Sequence, residues 1–414
     1  MVNRSIPLLI GACLLLAGCS SGGSGHVAVT VDRADALADQ AVHLKVTGVP
    51  AGKPVQIGAE AVDRKGKKWH GEATFTADGR GTVDLDHAKP SGGSYQAVDG
   101  MGLFWSLDPE DGDPDVQVFV PPLENGRPVE HLDVFVTRKG KRVAATTLTR
   151  RWMADGVTTK ALTMARDKLT GLYIAPKPDA GKHPAVLLLG GSEGGVPATL
   201  SAVQLASHGY PVLALAYFHA PGVPDELRNI PIEYLASGAR WLARQPGVDP
   251  GRVVVIGTSY GTEAALLVAD HFPELIHGTV LFAPGATATS SYPRPDGYAW
   301  TYQGKPVEFV PIPVDGVNGP VLAVAGSDDL LWESRLSAQR IMRELDDAHL
   351  RDPHEAVVVQ GAGHVVGGAP YLPLGTAEIH PLTGERMELG GTRAADESAL
   401  LQGWTKTLAL LAGL

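Results

Sequence analysis

Short runs in which apolar and polar residues alternate fill the first third of the chain. HVAVTVD, AVHLKVTGV, VQIGAEAVD, GEATFTAD, GTVDLD, DVQVFVPPL, LDVFVTR and RVAATTLTR follow one another from His26 to about Met153. A period of two sends successive side chains to opposite faces of a sheet, so each run reads as a half-buried strand. Lys65-Gly66, Asp78-Gly79 and Lys139-Gly140 punctuate the runs as hairpin turns. No helical period interrupts them. Residues 26–153 are therefore expected to form an all-β, immunoglobulin-like sandwich. Phe104 and Trp105 in GLFWSL are assigned to core or interdomain packing rather than to a site rim. The polar stretch ADGVTTKA, beginning at Ala154, reads as a linker over 154–165.

Beyond it the pattern changes. Continuous apolar runs at 172–175, 185–189, 212–216, 253–256, 279–282, 321–325 and 356–360 read as buried strands. Helical spacing appears between them, at 199–208, 232–244, 262–271 and 334–345, and again at 398–412. This alternation predicts a parallel sheet with helices on both faces, built from residues 166–414. Tyr234 and Trp241 fall on the apolar stripe of the second helix. The insertion 287–311, rich in aromatic residues and proline, is expected to cover a cleft as a lid.

Candidate chemistry enters at VVVIGTSYGTEAALLVAD, residues 253–270. A β-branched run ends at Ile256, Gly257-Thr258-Ser259-Tyr260-Gly261 makes a tight turn, and a helix pattern starts at once. That is the context of a nucleophile elbow, with Ser259 exposed on a strained turn and the glycines giving room where strand and helix nearly touch. A second match to the same pattern, GGSEG at 190–194, runs into Gly195 and Pro197 and reads as a loop. An activated serine needs a base, and the base needs an orienting group. In an α/β-hydrolase these follow in the order Ser, acid, His, each after a later strand. Asp328 and Asp329 follow the strand at 321–325. Asp329 is preferred because strand-end acids of this fold stand three residues after a glycine such as Gly326. His364 stands in the glycine-rich loop after the last strand. For the oxyanion, the N–H of Tyr260 is one expected donor. The second is placed at the N–H of Glu193 in the GGSEGG loop, with Ser192 close behind.

These motifs, with LLLGGSEGG, GYPVLALAYFHAPGVPDELRNIPIEYL, GSDDLLWES, GAGHVVGGAPYLPL and GGTRAADESALLQGWTKTL, make the chain resemble the type I acyl-CoA thioesterases and bile acid-CoA:amino acid N-acyltransferases. GSYQAVDGMGLFWSLDPE resembles the end of the small β-domain of those enzymes. The resemblance covers roughly residues 26–414. It implies a β-sandwich followed by an α/β-hydrolase (dienelactone hydrolase-like) domain, a Ser259–Asp329–His364 triad and an acyl-enzyme. The N-acyltransferase branch has cysteine in the elbow. Serine here implies an oxygen-ester acyl-enzyme that water attacks more readily than an amine does, and hence a hydrolase of hydrophobic acyl thioesters or esters. An exported carboxylesterase and a non-catalytic binding lipoprotein are the alternatives.

Composition narrows this further. The formal net charge of −10 without a basic run argues against nucleic acid as a partner. Both cysteines, Cys13 and Cys19, lie near the start, so neither a disulfide framework nor a cysteine nucleophile is available to the catalytic domain. His219, His271, His277 and His380 lack metal-ligand spacing, and no cofactor or metal is expected. Arg228 and Arg240 are the candidate contacts for CoA phosphates. IPLLIGACLLLAG is too short to span a bilayer and reads as the h-region of a signal peptide over 1–18. Leu16-Ala17-Gly18-Cys19 resembles a lipobox, with Cys19 as the lipid-attachment residue and 19–25 as a Ser/Gly tether. The expected location is the membrane surface, lipid-anchored, with the catalytic domain outside the cytoplasm.

Overall fold

In the computed structural model, which describes residues 26–414, two sheet systems divide the chain where the sequence pattern changes. Cys19 and the expected signal segment lie outside the described residues. In the first system β1 (Ala28–Val31), β3 (Leu44–Thr47) and β6 (Val83–Asp84) form one sheet. The other runs in the order β2 (Asp35–Leu37), β8 (Lys141–Arg151), β7 (Arg127–Arg138), β4 (Pro54–Val62), β5 (Lys68–Thr76). All its pairs are antiparallel except β2 with β8. Alternation is strict along β5, where Trp69, Gly71, Ala73 and Phe75 are buried and their neighbours are not. Leu44, Val46, Ile57, Phe75, Val134 and Leu148 meet in the core between the sheets.

One expected strand is missing. DVQVFVPPL does not join the ladder, and only Leu123–Glu124 at its end pairs with β7. Its backbone groups are taken elsewhere: Val120 O accepts from Arg64 N, Asp115 O from Ala377 N, and Phe119 N donates to Pro373 O. Burial does not follow the sequence alternation either: Phe119 is buried while Val118 is 48% exposed. The turn of helix Gly102–Trp105 is wholly buried. Arg393 of the catalytic domain donates to Trp105 O and Leu107 O, so this segment packs in the core and against the second domain, as expected.

The second system is an eight-stranded sheet in the order β9 (Thr158–Leu162), β10 (Thr170–Ala175), β12 (Val212–Ala216), β11 (His183–Leu189), β13 (Val248–Thr258), β14 (Thr279–Phe282), β15 (Val321–Gly326), β16 (His354–Val359). Pairing is antiparallel from β9 through β10 to β12 and parallel from there on. β9 corrects the linker assignment. It is an edge strand whose first four residues are exposed, so TTKA carries no apolar signal although it belongs to the sheet.

Helices α1 (Thr199–Ser207) and α5 (Arg393–Gly413) cover one face of this sheet; α2 (Ile232–Ala243), α3 (Tyr260–His271) and α4 (Ser334–Asp347) cover the other. The alternation within β13 serves both. Val253 and Val255 pack with α2, α3 and α4, whereas Val254 and Ile256 pack with α1 and α5. Two-sided burial explains why these strands read as continuous apolar runs. Among the described residues no helix is long and apolar enough to cross a membrane.

Candidate active site

The elbow sits between β13 and α3. Ser259 has φ 55° and ψ −125°, a backbone state that an L-residue holds only when its surroundings enforce it. They do so here. Its N–H donates to Phe282 O at the end of β14 (2.9 Å), and its carbonyl accepts from the amide and hydroxyl of Thr262 (2.8 and 2.7 Å). A Cβ on Gly257 would stand 2.1 Å from Gly261 O, and one on Gly261 would stand 2.4 Å from Gly190 O. Strand, helix and glycine loop therefore meet at van der Waals limits, which pushes Ser259 out at the top of the sheet. Gly191 faces it, since a Cβ there would lie 2.9 Å from Ser259 Cβ.

Asp329 and His364 come together from the ends of β15 and β16. His364 Nδ1 and Asp329 Oδ2 are 2.9 Å apart, and Asp329 Oδ1 accepts from Leu331 N (2.9 Å). The Asp329 side chain is 2% exposed and that of His364 10%. Burial opposes ionisation of Asp329, but the hydrogen bond and charge of His364 outweigh it and hold the carboxyl below its ordinary value. Asp328 is exposed and accepts instead from the hydroxyl of its neighbour Ser327. Ser259 Oγ makes no hydrogen bond to His364 among the described contacts. Such bonds are often long before substrate binds. Trp332 packs 5.6 Å from Tyr260, the residue after Ser259, and 5.9 Å from His364, while its Nε1–H donates to Ala283 O (3.0 Å).

The C-terminal segment Leu389–Gly391 locks the acid and base loops together. Leu389 O accepts from His364 N (2.9 Å) and Leu330 N (3.4 Å), and a Cβ on Gly391 would stand 2.2 Å from Gly363 N. Asp396, in the first turn of α5, accepts from Gly363 N (2.7 Å) behind the histidine. Burial, with the Asp329 charge added, pushes the Asp396 carboxyl up to about 7. No motif pointed to it.

Tyr260 N opens α3 and has no partner among the described hydrogen bonds, as an oxyanion donor requires. Glu193 turns its carboxylate back over the glycine loop: a Cβ on Gly190 would stand 2.3 Å from Glu193 Oε1, and one on Gly191 3.0 Å from its Oε2. Like Tyr260 N, the Glu193 N–H has no partner among the described hydrogen bonds. Glu193 is exposed on the loop, and desolvation of its carboxylate by nearby protein atoms raises its pKa.

Tyr292 and Trp332 pack on Tyr260, the residue after the serine, at 6.0 and 5.6 Å. Tyr292 comes from the 287–311 insertion. That segment is riveted at its base: Glu263 of α3 accepts from Thr289 N, Thr289 Oγ1 and Trp300 Nε1 (3.0, 2.7 and 2.8 Å). Tyr234 bridges Thr170 N and Ala216 O, and Trp241 packs on Tyr173, both structural roles. Arg228 pairs with Asp296 and Glu226, and Arg240 lies near Glu274 and over Phe272. Neither is a free cation. A cleft of about 330 Å³ opens between the glycine loop and the loop after His364, lined by Trp152, Val196, Leu200, Ala369, Leu372 and Leu400. A larger one, about 530 Å³, lies on the sandwich sheet among Glu60, Trp69, His70 and His131, away from the elbow.

A serine on a strained strand-to-helix elbow, with an Asp–His pair presented from the ends of later parallel strands, defines an enzyme of the α/β-hydrolase fold. Residues 39–164 match the N-terminal region of acyl-CoA thioester hydrolase/BAAT proteins, and residues 299–413 match their C-terminal region. The chain is 30% identical to acyl-coenzyme A thioesterase 6 of Mus musculus over 89% of its own length and 92% of that protein's. It is 29% identical to acyl-coenzyme A amino acid N-acyltransferase 1 of Mus musculus, covering 89% and 93%. A dienelactone hydrolase-like promiscuous phosphotriesterase from metagenomic libraries aligns at 18% identity and a TM-score of 0.43, covering 63% of this chain and 99% of that one. The chain belongs to the acyl-CoA thioester hydrolase and bile acid-CoA:amino acid N-acyltransferase family.

Proposed function

We propose that this protein hydrolyses hydrophobic acyl thioesters through an acyl-enzyme on Ser259. The observation that carries the reading is the elbow serine, held at positive φ at the top of the sheet that also presents the His364–Asp329 pair. With Nδ1–H engaged by Asp329, His364 has Nε2 free to take the serine proton. Ser259 Oγ adds to the thioester carbonyl, the carbonyl π pair moves to oxygen, and collapse expels the thiol with the proton His364 received. Water then repeats the sequence and releases the acid. The apolar cleft lined by Trp152, Leu200, Leu372 and Leu400 suits an acyl chain. A fluorophosphonate probe followed by peptide mass mapping tests the nucleophile. One equivalent on Ser259, lost in Ser259→Ala together with hydrolysis, is the expected result; labelling elsewhere sinks the reading.

A second reading keeps the mechanism and changes the leaving group. Arg228 and Arg240 are both engaged by carboxylates, and Glu193 stands beside the serine, an unfavourable setting for the phosphates of CoA. An ester or a thioester of a less anionic thiol fits those charges, and the resemblance to a lipobox argues for a location where CoA thioesters are scarce. Parallel kcat/KM values for acyl-CoAs and p-nitrophenyl esters separate the two.

The proposed location is the membrane surface, with a lipid-anchored Cys19. Lipid chains contribute about 0.8 kcal/mol per buried CH₂, and two or more on one residue hold a protein at a bilayer. Cys19→Ser is expected to release active protein from the membrane fraction or leave an uncleaved precursor. Wild-type protein retaining Met1 in the cytoplasm overturns this.

A further inference from the structure

The second elbow-like match, GGSEGG, is a loop, yet its serine has a histidine of its own. His380 is 1% exposed, and its Nε2 lies 3.1 Å from Ser192 Oγ. The ring is held from three sides. Leu382 N–H points at Nδ1 (3.3 Å), Tyr292 packs edge-on at 5.0 Å, and the backbone around it is closed by His380 N to Glu385 O and Gly384 N to His380 O (2.8 Å each).

These contacts decide where the protons are. Nδ1 receives an N–H from Leu382, so it is the unprotonated nitrogen of a neutral imidazole. The ring proton is then on Nε2 and is donated to Ser192 Oγ. Burial lowers the pKa of His380, and the nearby Glu378 and Glu385 only partly oppose it, in keeping with a neutral ring. Two consequences follow for Ser192. Its oxygen already accepts, so its own O–H is free to donate elsewhere. And it has no base, because the neighbouring nitrogen carries a proton, so Ser192 is not a second nucleophile.

Its surroundings say where that hydrogen is wanted. Ser192 directly follows Gly191, the residue that faces the Ser259 side chain. The Glu193 carboxylate folds back over Gly190 and Gly191 beside it. From His380 the aromatic contacts continue through Tyr292 to Tyr260, the residue after the nucleophile, so Ser192 belongs to the same wall that encloses the reacting serine. We propose that the Ser192 hydroxyl is an oxyanion donor of this enzyme, working with the Tyr260 amide, and that His380 is the positioning residue that aims it.

This rests on the Ser259 acyl-enzyme reading. When Ser259 Oγ adds to the carbonyl carbon, the oxygen gains the π pair and accepts hydrogen bonds from Tyr260 N–H and Ser192 O–H. No proton leaves Ser192; the proton of Ser259 goes to His364 and from there to the leaving thiol. A donor aimed at the position of the oxyanion is worth most in the tetrahedral state, so its loss is expressed in kcat rather than in substrate binding.

The test compares Ser192→Ala, Ser192→Thr and His380→Phe on whichever thioester or p-nitrophenyl ester wild type turns over. Ser192→Ala is expected to lower kcat on the order of 10²-fold with KM within about threefold of wild type. Ser192→Thr, which keeps the hydroxyl, is expected to recover most of that loss. His380→Phe is expected to lower kcat about tenfold alone and to add nothing on the Ser192→Ala background, since both act through one hydrogen bond. Fluorophosphonate labelling of Ser259 is expected to reach one equivalent in all three variants but more slowly in Ser192→Ala. A Ser192→Ala kcat within about twofold of wild type, a loss confined to KM, or independent effects of Ser192 and His380 overturns the proposal. If Ser259 is labelled while these results appear, only the Ser192 assignment fails. If wild-type Ser259 is not labelled, the underlying reading fails with it.

Discussion

Asp329 Oδ2 accepts from His364 Nδ1 at 2.9 Å across a gap of 35 residues, while its neighbour Asp328 points to solvent. The turn after β15 accounts for the difference. Asp328 N donates to Ala362 O and Asp329 bridges to Gly390, so the chain is pinned on both sides and only the second acid can face the histidine loop.

Asp329→Asn is therefore expected to lower kcat by several orders of magnitude, about 10⁴-fold, because an amide in that place favours the wrong imidazole tautomer. Asp328→Asn is expected to stay within a few-fold of wild type. Steady-state hydrolysis by the two purified variants measures this, and the opposite ranking moves the orienting acid to Asp328.

Gly261→Ala probes the elbow itself. The new methyl group would meet Gly190 O at 2.4 Å and Leu189 O at 2.5 Å, both backbone atoms that cannot step aside as a side chain could. We expect a stability loss of about 1–3 kcal/mol, typical of overpacking. Activity should fall further than stability, because the atoms displaced belong to the glycine loop that faces Ser259. Thermal unfolding and hydrolysis measured on one preparation separate the two losses. An active variant of wild-type stability contradicts the close approach.

Much of this arrangement is legible in the chain itself. Val253, Val254, Val255 and Ile256 announce a strand buried on both faces, and the glycines flanking Ser259 announce an elbow, because backbone contact at that turn leaves no room for another residue. Position after a strand points to His364 and to the pair Asp328 and Asp329, and the offset from Gly326 selects Asp329, the acid that meets His364. The misses share a cause. Thr158–Leu162 is a strand paired on one side only, so its exposed residues are polar and carry no periodic signal. The run at 115–123 has the alternation of a strand, but its backbone bonds go to loops of both domains. Ser192 and His380 lie 188 residues apart, and Asp396 reaches Gly363 from the far end of the chain. No local spacing rule links such pairs.

Glu263 makes the stability of the protein depend on pH. It is fully buried on α3, and burial pushes its carboxyl up to about 7, although Thr289 and Trp300 donate to it. An acid whose folded pKa lies above its unfolded one stabilises fully below the unfolded value, near 4.5. That contribution is lost as pH rises to about 7. The whole loss is on the order of a few kcal/mol. Glu263→Gln keeps the size and the acceptor for Trp300 and cannot ionise. Its unfolding free energy is expected to fall less than that of wild type between pH 4.5 and 7, by urea titration at each pH. Parallel pH profiles for the two proteins sink the assignment.

The last expectation concerns what attacks the acyl-enzyme. The family spans thioester hydrolases and amino acid N-acyltransferases, and the resemblance assigns a cysteine elbow to the transferases. An acyl group on Ser259 is an oxygen ester, which resists amines; on cysteine it would be a thioester, which amines open readily. Ser259→Cys leaves Asp329, His364 and the glycine loop in place and changes only this leaving group. Hydrolysis is expected to drop by about 10²-fold or more, because the triad is shaped around the smaller oxygen. In the presence of glycine or taurine, the ratio of amide to free acid should rise above that of wild type. Product analysis by mass spectrometry over a range of amine concentrations reads that ratio directly. A wild-type enzyme that forms amide faster than acid at moderate amine concentration reverses the assignment, since the chemistry of Ser259 would then be overridden by a built amine site. Equal ratios for wild type and the Ser259→Cys variant would mean that acceptor access, not the acyl bond, decides the outcome.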